Sequence, residues 1–317
     1  MSQNQEKLPL GISSCLLGQT VRFDGGHKRN DFIEQSLGQY FSFIPFCPEV
    51  EIGLGVPREP LRLIGKGKEI RCVGVNDETL DVTDKLKQSA NGQNFWHSKL
   101  CGYIFKKDSP SCGMERVKIY FSDIPSKVGV GIYAKQLMAN YPLLPVEEEG
   151  RLGDPVLREN FIQRVYIMRR WQQLVKKGIT THALTNFHSQ HKLILMSHDQ
   201  NDCRRLGKLL ATLDKQNIEK ISHEYIHGAM ESLKKISTKG NHVNVLQHIQ
   251  GYLKCELTAD DKAELCETIE RYRLGQLPLI VPITLLKHHF RNSPDPFIDN
   301  SFYMAAYPQE LGLQNTI

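Results

Sequence analysis

Apolar and polar residues fall into short blocks over the first half of the chain and recur at helical spacing over the second. Leu8-Pro-Leu-Gly-Ile-Ser13 reads as a short buried strand feeding a turn, and Phe41-Ser-Phe-Ile-Pro-Phe46 as a second. Lys99 to Lys106 reads as a third strand and Pro142 to Glu147 as the last. Between them the pattern predicts a helix from Asp31 to Tyr40 with Asn30 or Asp31 as its cap. It predicts another from Thr79 to about Asn91, and a Gly-started helix from Val128 to Asn140. Strands alternating with helices predict an α/β domain with an open, mostly parallel sheet. In such sheets, sites form beyond the carboxyl ends of the strands.

Glu147-Glu-Glu-Gly-Arg-Leu-Gly-Asp-Pro155 is polar, glycine-bearing and proline-terminated, and marks a boundary between domains at residues 1–150 and 151–317. Beyond it, six amphipathic helices are expected: 156–177, 184–197, 201–216, 217–235, 238–254 and 259–274. They make the second domain all-α.

A chain of 317 residues has room for two domains. With 40% hydrophobic and 24% charged residues it excludes wholesale disorder and fibrous architectures. Its most apolar stretch, Leu277 to Leu286, carries two prolines and falls short of the about 20 residues that span a bilayer, so no membrane association is expected. The first residues lack a basic-then-apolar pattern, and the expected compartment is the cytoplasm. Net charge is +5. The surplus sits mostly after residue 153, together with ten of the twelve histidines. That balance suits an anionic partner without requiring one.

Eight cysteines occur and none forms a C-x-x-C pair, so common zinc-ribbon and ferredoxin spacings are absent. Three of them sit in turns that follow predicted strands. These are Cys15 in Gly11-Ile-Ser-Ser-Cys-Leu-Leu-Gly18, Cys47 in Ile44-Pro-Phe-Cys-Pro-Glu-Val50, and Cys112 in Lys107-Asp-Ser-Pro-Ser-Cys-Gly113. A thiolate ligand needs such a turn, where backbone N–H groups remain free to hydrogen-bond sulfur. Cys72, Cys101, Cys203, Cys255 and Cys266 lack that setting and read as small buried hydrophobes.

The first half resembles the thiouracil desulfidase family. The carriers are Ser13-Ser-Cys-Leu-Leu-Gly18, Val21-Arg-Phe-Asp-Gly-Gly-His-Lys28, Cys47-Pro-Glu49, Gly53-Leu-Gly-Val-Pro-Arg-Glu-Pro60 and Ser109-Pro-Ser-Cys-Gly113, within residues 8–148. The second half resembles the DUF1722-type helical domain often fused to it, through Phe187 to Lys192 with Met196 and His198, Asn244 to Tyr252, Tyr272 to Pro282 and Leu285 to His289. The pairing looks like that of desulfidases acting on 4-thiouridine in tRNA. The resemblance implies a 4Fe-4S cluster held by Cys15, Cys47 and Cys112 with one iron open. It also implies removal of sulfur to give uridine and hydrosulfide without net redox change, a hydrolase-type reaction. In keeping with the family, Glu49 is the acid/base and Ser111 orients substrate or water, with Ser109 as its alternative. Thiolated tRNA and the iron–sulfur assembly machinery are the implied partners. Three rivals stand beside this reading: the same chemistry on free thiouracil or another small thiolated base, sulfur insertion by a thiolase, and a non-enzymatic metal-binding interaction protein.

Other polar groups have two readings each. Arg22, Lys28 and Asp24 suit either substrate contact or a Gly-Gly loop held by an Arg22–Asp24 pair, and Arg58 is expected to pair with Glu59. His188, His191 and His198 share one predicted helix; a polar face meeting RNA phosphates with Lys192, Arg204, Arg205 and Lys208 is favoured over a metal site. His288 and His289, beside Lys287 and Arg291, read the same way, while Arg169, Arg170, Lys176 and Lys177 read as a solvated helix face.

Overall fold

The computed structural model describes residues 6–66, 69–122 and 124–315. The chain divides into two units, Met1–Asp154 and Pro155–Ile317. The first unit holds eight strands: β1 (Leu8–Ser13), β2 (Phe41–Phe46), β3 (Leu61–Lys66), β4 (Glu69–Gly74), β5 (Gly102–Phe105), β6 (Val117–Tyr120), β7 (Pro125–Gly129) and β8 (Val146–Glu148). Its helices are α1 (Pro48–Glu51), α2 (Thr83–Gly92), α3 (Asn94–His97) and α4 (Ile132–Asn140).

One sheet is parallel throughout, in the order β2-β1-β5-β8. The expected parallel α/β core is therefore present. Pro45 fits because β2 is an edge strand, where a missing donor costs no ladder bond. A second, mixed sheet runs β4-β3-β6-β7. The pattern of residues set no bounds for its strands. Val128 and Gly129, expected to open a helix, instead close β7, and the helix begins at Ile132. The segment expected as one helix from Asp31 is a π turn over Phe32–Ser36 followed by a 3-10 turn over Leu37–Gln39. Asn30 accepts the Ile33 N–H at 3.1 Å, as a cap should. The last strand is shifted to Val146–Glu148, inside the segment read as a boundary.

Apolar clusters pack on both sheets of this unit. Leu63, Cys72, Val82, Leu86, Val117, Ile119 and Ile132 pack on the mixed sheet. Ala90, Tyr103, Phe105, Tyr133 and Leu137 pack on the parallel one. Helix α2 joins them, contributing Leu86 to the first and Ala90 to the second. Packing is close where β1 meets β5. A methyl group on Gly11 would lie 2.3 Å from the ring of Tyr103, which is fully buried and has nowhere to move.

The second unit is helical: α5 (Pro155–Lys177), α6 (Thr181–His198), α7 (Gln200–Leu210), α8 (Ile218–Lys234), α9 (Lys239–Tyr252), α10 (Ala259–Arg273), α11 (Ile280–Asn292) and α12 (Pro296–Asn300). The last two go beyond the six expected. Pro282 lies in the first turn of α11, where a backbone N–H has no helical partner. Among the described residues, no helix is long and apolar enough to cross a membrane.

Gly11→Ala should therefore lower unfolding stability by about 1–3 kcal/mol through overpacking. Urea denaturation followed by tyrosine fluorescence measures it, and an unchanged midpoint would show the β1–β5 contact to be slack.

Candidate active site

Three parallel strands deliver the three loop cysteines to one edge of the sheet. The β1/β2 register pairs Ser13 with Phe46, so these strands end level. Cys15 follows in a 3-10 turn over Ser14–Leu17, and Cys47 caps α1 directly after β2. Strand β5 lies on the other side of β1 with Ile104 opposite Ile12. Its exit is tied to β1 by Ser13 Oγ, which accepts the Lys106 N–H at 3.0 Å.

The loop after β5 turns Cys112 back toward the same edge. Ser109 Oγ accepts the N–H groups of Ser111 (3.3 Å) and Cys112 (3.1 Å). The start of α4 clamps the loop from behind: Ile132 N–H donates to the Pro110 carbonyl at 3.0 Å, and Ala134 N–H to that of Ser111 at 3.1 Å. Gly131 makes this approach feasible, since a Cβ there would stand 2.6 Å from the Ser111 carbonyl.

The result is a cavity of about 350 Å³ lined by Cys15, Cys47 and Cys112 together with Glu49, Ser109 and Ser111. Arg22, Lys28, Lys106 and Lys107 line it too. Phe46 supplies an aromatic wall and is stacked on Tyr133, with centroids 5.4 Å apart. Lys106 is neutralised by Glu149 at 2.6 Å, and Arg22 stands 3.5 Å from Asp24. The Arg22–Asp24 pair expected of the Gly-Gly loop thus forms, while Arg22 and Lys28 still border the cavity.

Burial sets the protonation of the thiols. It pushes Cys15 up to about 11, raises Cys47, and lifts Cys112 well above the ordinary thiol range, with the neighbouring Cys47 adding to the last. Such thiols stay protonated in water and ionise when a metal takes the place of the proton. Among the described residues, no three His, Cys, Asp or Glu side chains converge closely enough to hold one metal ion. Three soft donors spread around one cavity suit an iron–sulfur group, which thiolates hold.

Glu49 lies between two partners. Its Oε2 accepts from Arg58 Nε at 2.8 Å and lies 2.6 Å from Nη2 in an ion pair, and its Oε1 accepts the Ser111 hydroxyl at 2.5 Å. Ser111 is fully buried, 3.0 Å from Ser109 Oγ and 3.8 Å from Cys112 Sγ. The expected Arg58–Glu59 pair is not made. Glu59 accepts the backbone N–H groups of Asn76 (2.5 Å) and Asp77 (2.8 Å) instead, capping a turn that the second sheet creates.

Residues 10–149 match the family described as 2-thiouracil desulfurase, against the 8–148 expected from the motifs, and residues 192–308 match a family described as a protein of unknown function, DUF1722. The uncharacterized protein YbbK of Bacillus subtilis (strain 168) is 30% identical over 110 residues, covering 32% of this chain and 71% of that one. The chain belongs to the 2-thiouracil desulfurase family. The uncharacterized protein YbgA of Escherichia coli (strain K12) is 28% identical over 154 residues, covering 48% of this chain and 91% of its own. A solved structure described as the 4Fe-4S-dependent thiouracil desulfidase TudS is 30% identical, covering 47% of this chain and 95% of that one, with a TM-score of 0.38.

Within this member of the desulfurase family, Lys106 and Phe46 were not singled out from sequence. Each flanks a strand end that carries a cysteine loop, and that adjacency was the available signal. Cys72, Cys101 and Cys203 are buried as expected, but Cys255 and Cys266 are exposed.

The histidines of α6 do not form a polar face. His191 is buried between Phe187 and Phe302 and bonds the Phe187 carbonyl at 2.7 Å. His198 is buried between the Lys235 carbonyl (2.5 Å) and the Gln163 side chain (2.6 Å), and His188 meets Tyr225 at 3.2 Å. Burial lowers His191 to about 3 and both His188 and His198 to about 4. His289 is buried as well. Nor is Arg170 on a solvated face: it donates to the Ala306 carbonyl at 2.6 Å and lies over the Phe302 ring. These residues fill the side of each helix that the bundle covers, which polarity alone had assigned to solvent. Lys192, Arg204, Arg205 and Lys208 are exposed.

His191 and His198 titrate below the ordinary imidazole value of 6.5, so the unfolded chain binds protons first as pH falls. Their contribution to stability is complete above about pH 6.5 and is lost from there down toward pH 4. Urea unfolding between those limits should show stability rising with pH by up to about 1.4 kcal/mol per unit for each histidine, and His198→Gln should flatten the slope. A slope unchanged in that variant would place the titration elsewhere.

Proposed function

We propose that this chain removes sulfur from 4-thiouridine in tRNA, converting the thiocarbonyl to a carbonyl and releasing hydrosulfide. The observation that carries the reading is the placing of Cys15, Cys47, Cys112 and Glu49 around one cavity, in a chain of the 2-thiouracil desulfurase family. The three cysteines would hold a 4Fe-4S core with one iron left without a protein thiolate. When bound, the cluster supplies a soft Lewis acid suited to a thiocarbonyl sulfur.

The protein's own groups handle water and protons. Glu49 Oε1, which faces Ser111, takes a proton from the attacking water. A C–O bond forms at the ring carbon, the second proton of the water passes from that oxygen to sulfur, the C–S bond breaks, and sulfur departs as hydrosulfide while Glu49 returns its proton to solvent, so no oxidant or reductant is consumed. Ser111, fixed by Ser109, orients the water or the base edge. Phe46 gives the ring a flat apolar wall.

RNA as the substrate is supported by Arg22, Lys28 and Lys107 around the cavity and by the exposed cations Lys192, Arg204, Arg205 and Lys208 on α6 and α7. A free thiolated base is the second reading, favoured by the family description and by a cavity built wholly from the first unit. Free thiols at Cys15, Cys47 and Cys112 suit a reducing cytoplasm, where iron–sulfur assembly proteins would load the site.

Single Cys15→Ala, Cys47→Ala and Cys112→Ala variants, purified without air, should lose the cluster's visible absorbance and all turnover. Glu49→Gln should keep the absorbance and lose about 10²–10⁴-fold in kcat; normal turnover would remove Glu49 from the acid/base role. Binding of thiolated tRNA should weaken steeply with salt, log K falling linearly with log salt concentration. A flat salt response, with desulfuration of 2-thiouracil intact, would select the free base.

A further inference from the structure

Arg58 is unusual among the ion pairs of the first unit in being almost fully enclosed, with its side chain 5% exposed and that of Glu49 13% exposed. Desolvating such a pair costs more than the attraction readily returns, so it is poor evidence of a stabilising role. Its geometry is asymmetric. A guanidinium facing a carboxylate commonly engages both oxygens with two parallel bonds. Here Nε and Nη2 both converge on Oε2, at 2.8 and 2.6 Å, leaving Oε1 to a single hydrogen bond from Ser111.

The guanidinium is itself held. Nη1 donates to the Gly55 carbonyl at 3.0 Å, and the Arg58 backbone N–H donates to the Phe23 carbonyl at 2.9 Å. The adjacent carboxylate, Glu59, is engaged by backbone N–H groups and does not compete. A fixed chain therefore runs from Arg58 through Glu49 and Ser111 to the neighbourhood of Cys112 Sγ.

The geometry points to Arg58 as a positioning residue that locks the Glu49 carboxylate in one rotation, so that Oε1 alone is presented to Ser111 and the cavity. This rests on the desulfidase reading above. Arg58 touches no reacting atom; it acts through Glu49. Freed of it, the carboxylate can rotate about its last bond and swing from Ser111, and a misplacement of about 1 Å at a reacting group costs about 100-fold in rate.

The test compares the cluster-loaded wild type with Arg58→Ala and Arg58→Lys on tRNA containing 4-thiouridine and on 2-thiouracil, with hydrosulfide as the readout. Arg58→Ala should keep the cluster absorbance, lower kcat about 100-fold and leave KM within about threefold. Added guanidinium ion should restore part of kcat in Arg58→Ala. Arg58→Lys should stay slow, because a point charge cannot reproduce the fixed fork of a guanidinium. A crystal structure of cluster-free Arg58→Ala should show Glu49 Oε1 displaced from Ser111. Should Arg58→Ala fail to fold, Arg58→Gln, which keeps the length and one donor group, is judged by the same criteria. Wild-type kcat in the variant, a loss confined to KM, or an undisturbed Glu49–Ser111 contact would overturn the inference. A wild type that carries the cluster but releases hydrosulfide from neither substrate overturns the desulfidase reading and this inference together, whereas an active wild type with an unaffected variant overturns this inference alone.

Discussion

Parallel pairing of β1 with both β2 and β5 is the constraint on which the site depends. Parallel strands send their carboxyl ends to one edge, so three chain exits widely separated in sequence become neighbours there. The register must also hold: slipping β2 by one residue against β1 would turn its side chains to the opposite faces and carry Cys47 away from Cys15. Gly11 secures that register from the other side, because only hydrogen fits between β1 and the Tyr103 ring.

The price of the arrangement is a set of buried polar and ionisable groups. Cys112 lies within the apolar cluster of Tyr103, Phe105 and Tyr133, where an ionised thiol without a partner would be strongly disfavoured. The surrounding chain offsets this with fixed donors rather than solvent. Serine hydroxyls and the first N–H groups of α4 hold the loop that carries the thiol, so the loop needs no water to satisfy its carbonyls.

The helical unit solves a different problem with similar means. His188, His191 and His198 are kept neutral by burial and anchored by backbone carbonyls or a tyrosine, so they specify packing rather than supply charge. Its positive charge resides in lysines and arginines on the outer faces of α6 and α7. Buried imidazoles and exposed cations lie within the same short stretch of chain, which is why polarity alone merged them.

Residue order by itself determined the parallel strands, the three cysteine turns and the helical character of the second half. These follow from local rules: period-2 runs ending in Pro and Gly, and apolar residues returning every three or four positions. It did not reveal the mixed sheet, nor α11, which begins within an apolar stretch that carries two prolines. Which carboxylate Arg58 meets, and which face of α6 turns inward, were decided only by the folded chain. A side chain reaches whatever packing brings near it, and adjacency in sequence says nothing about that.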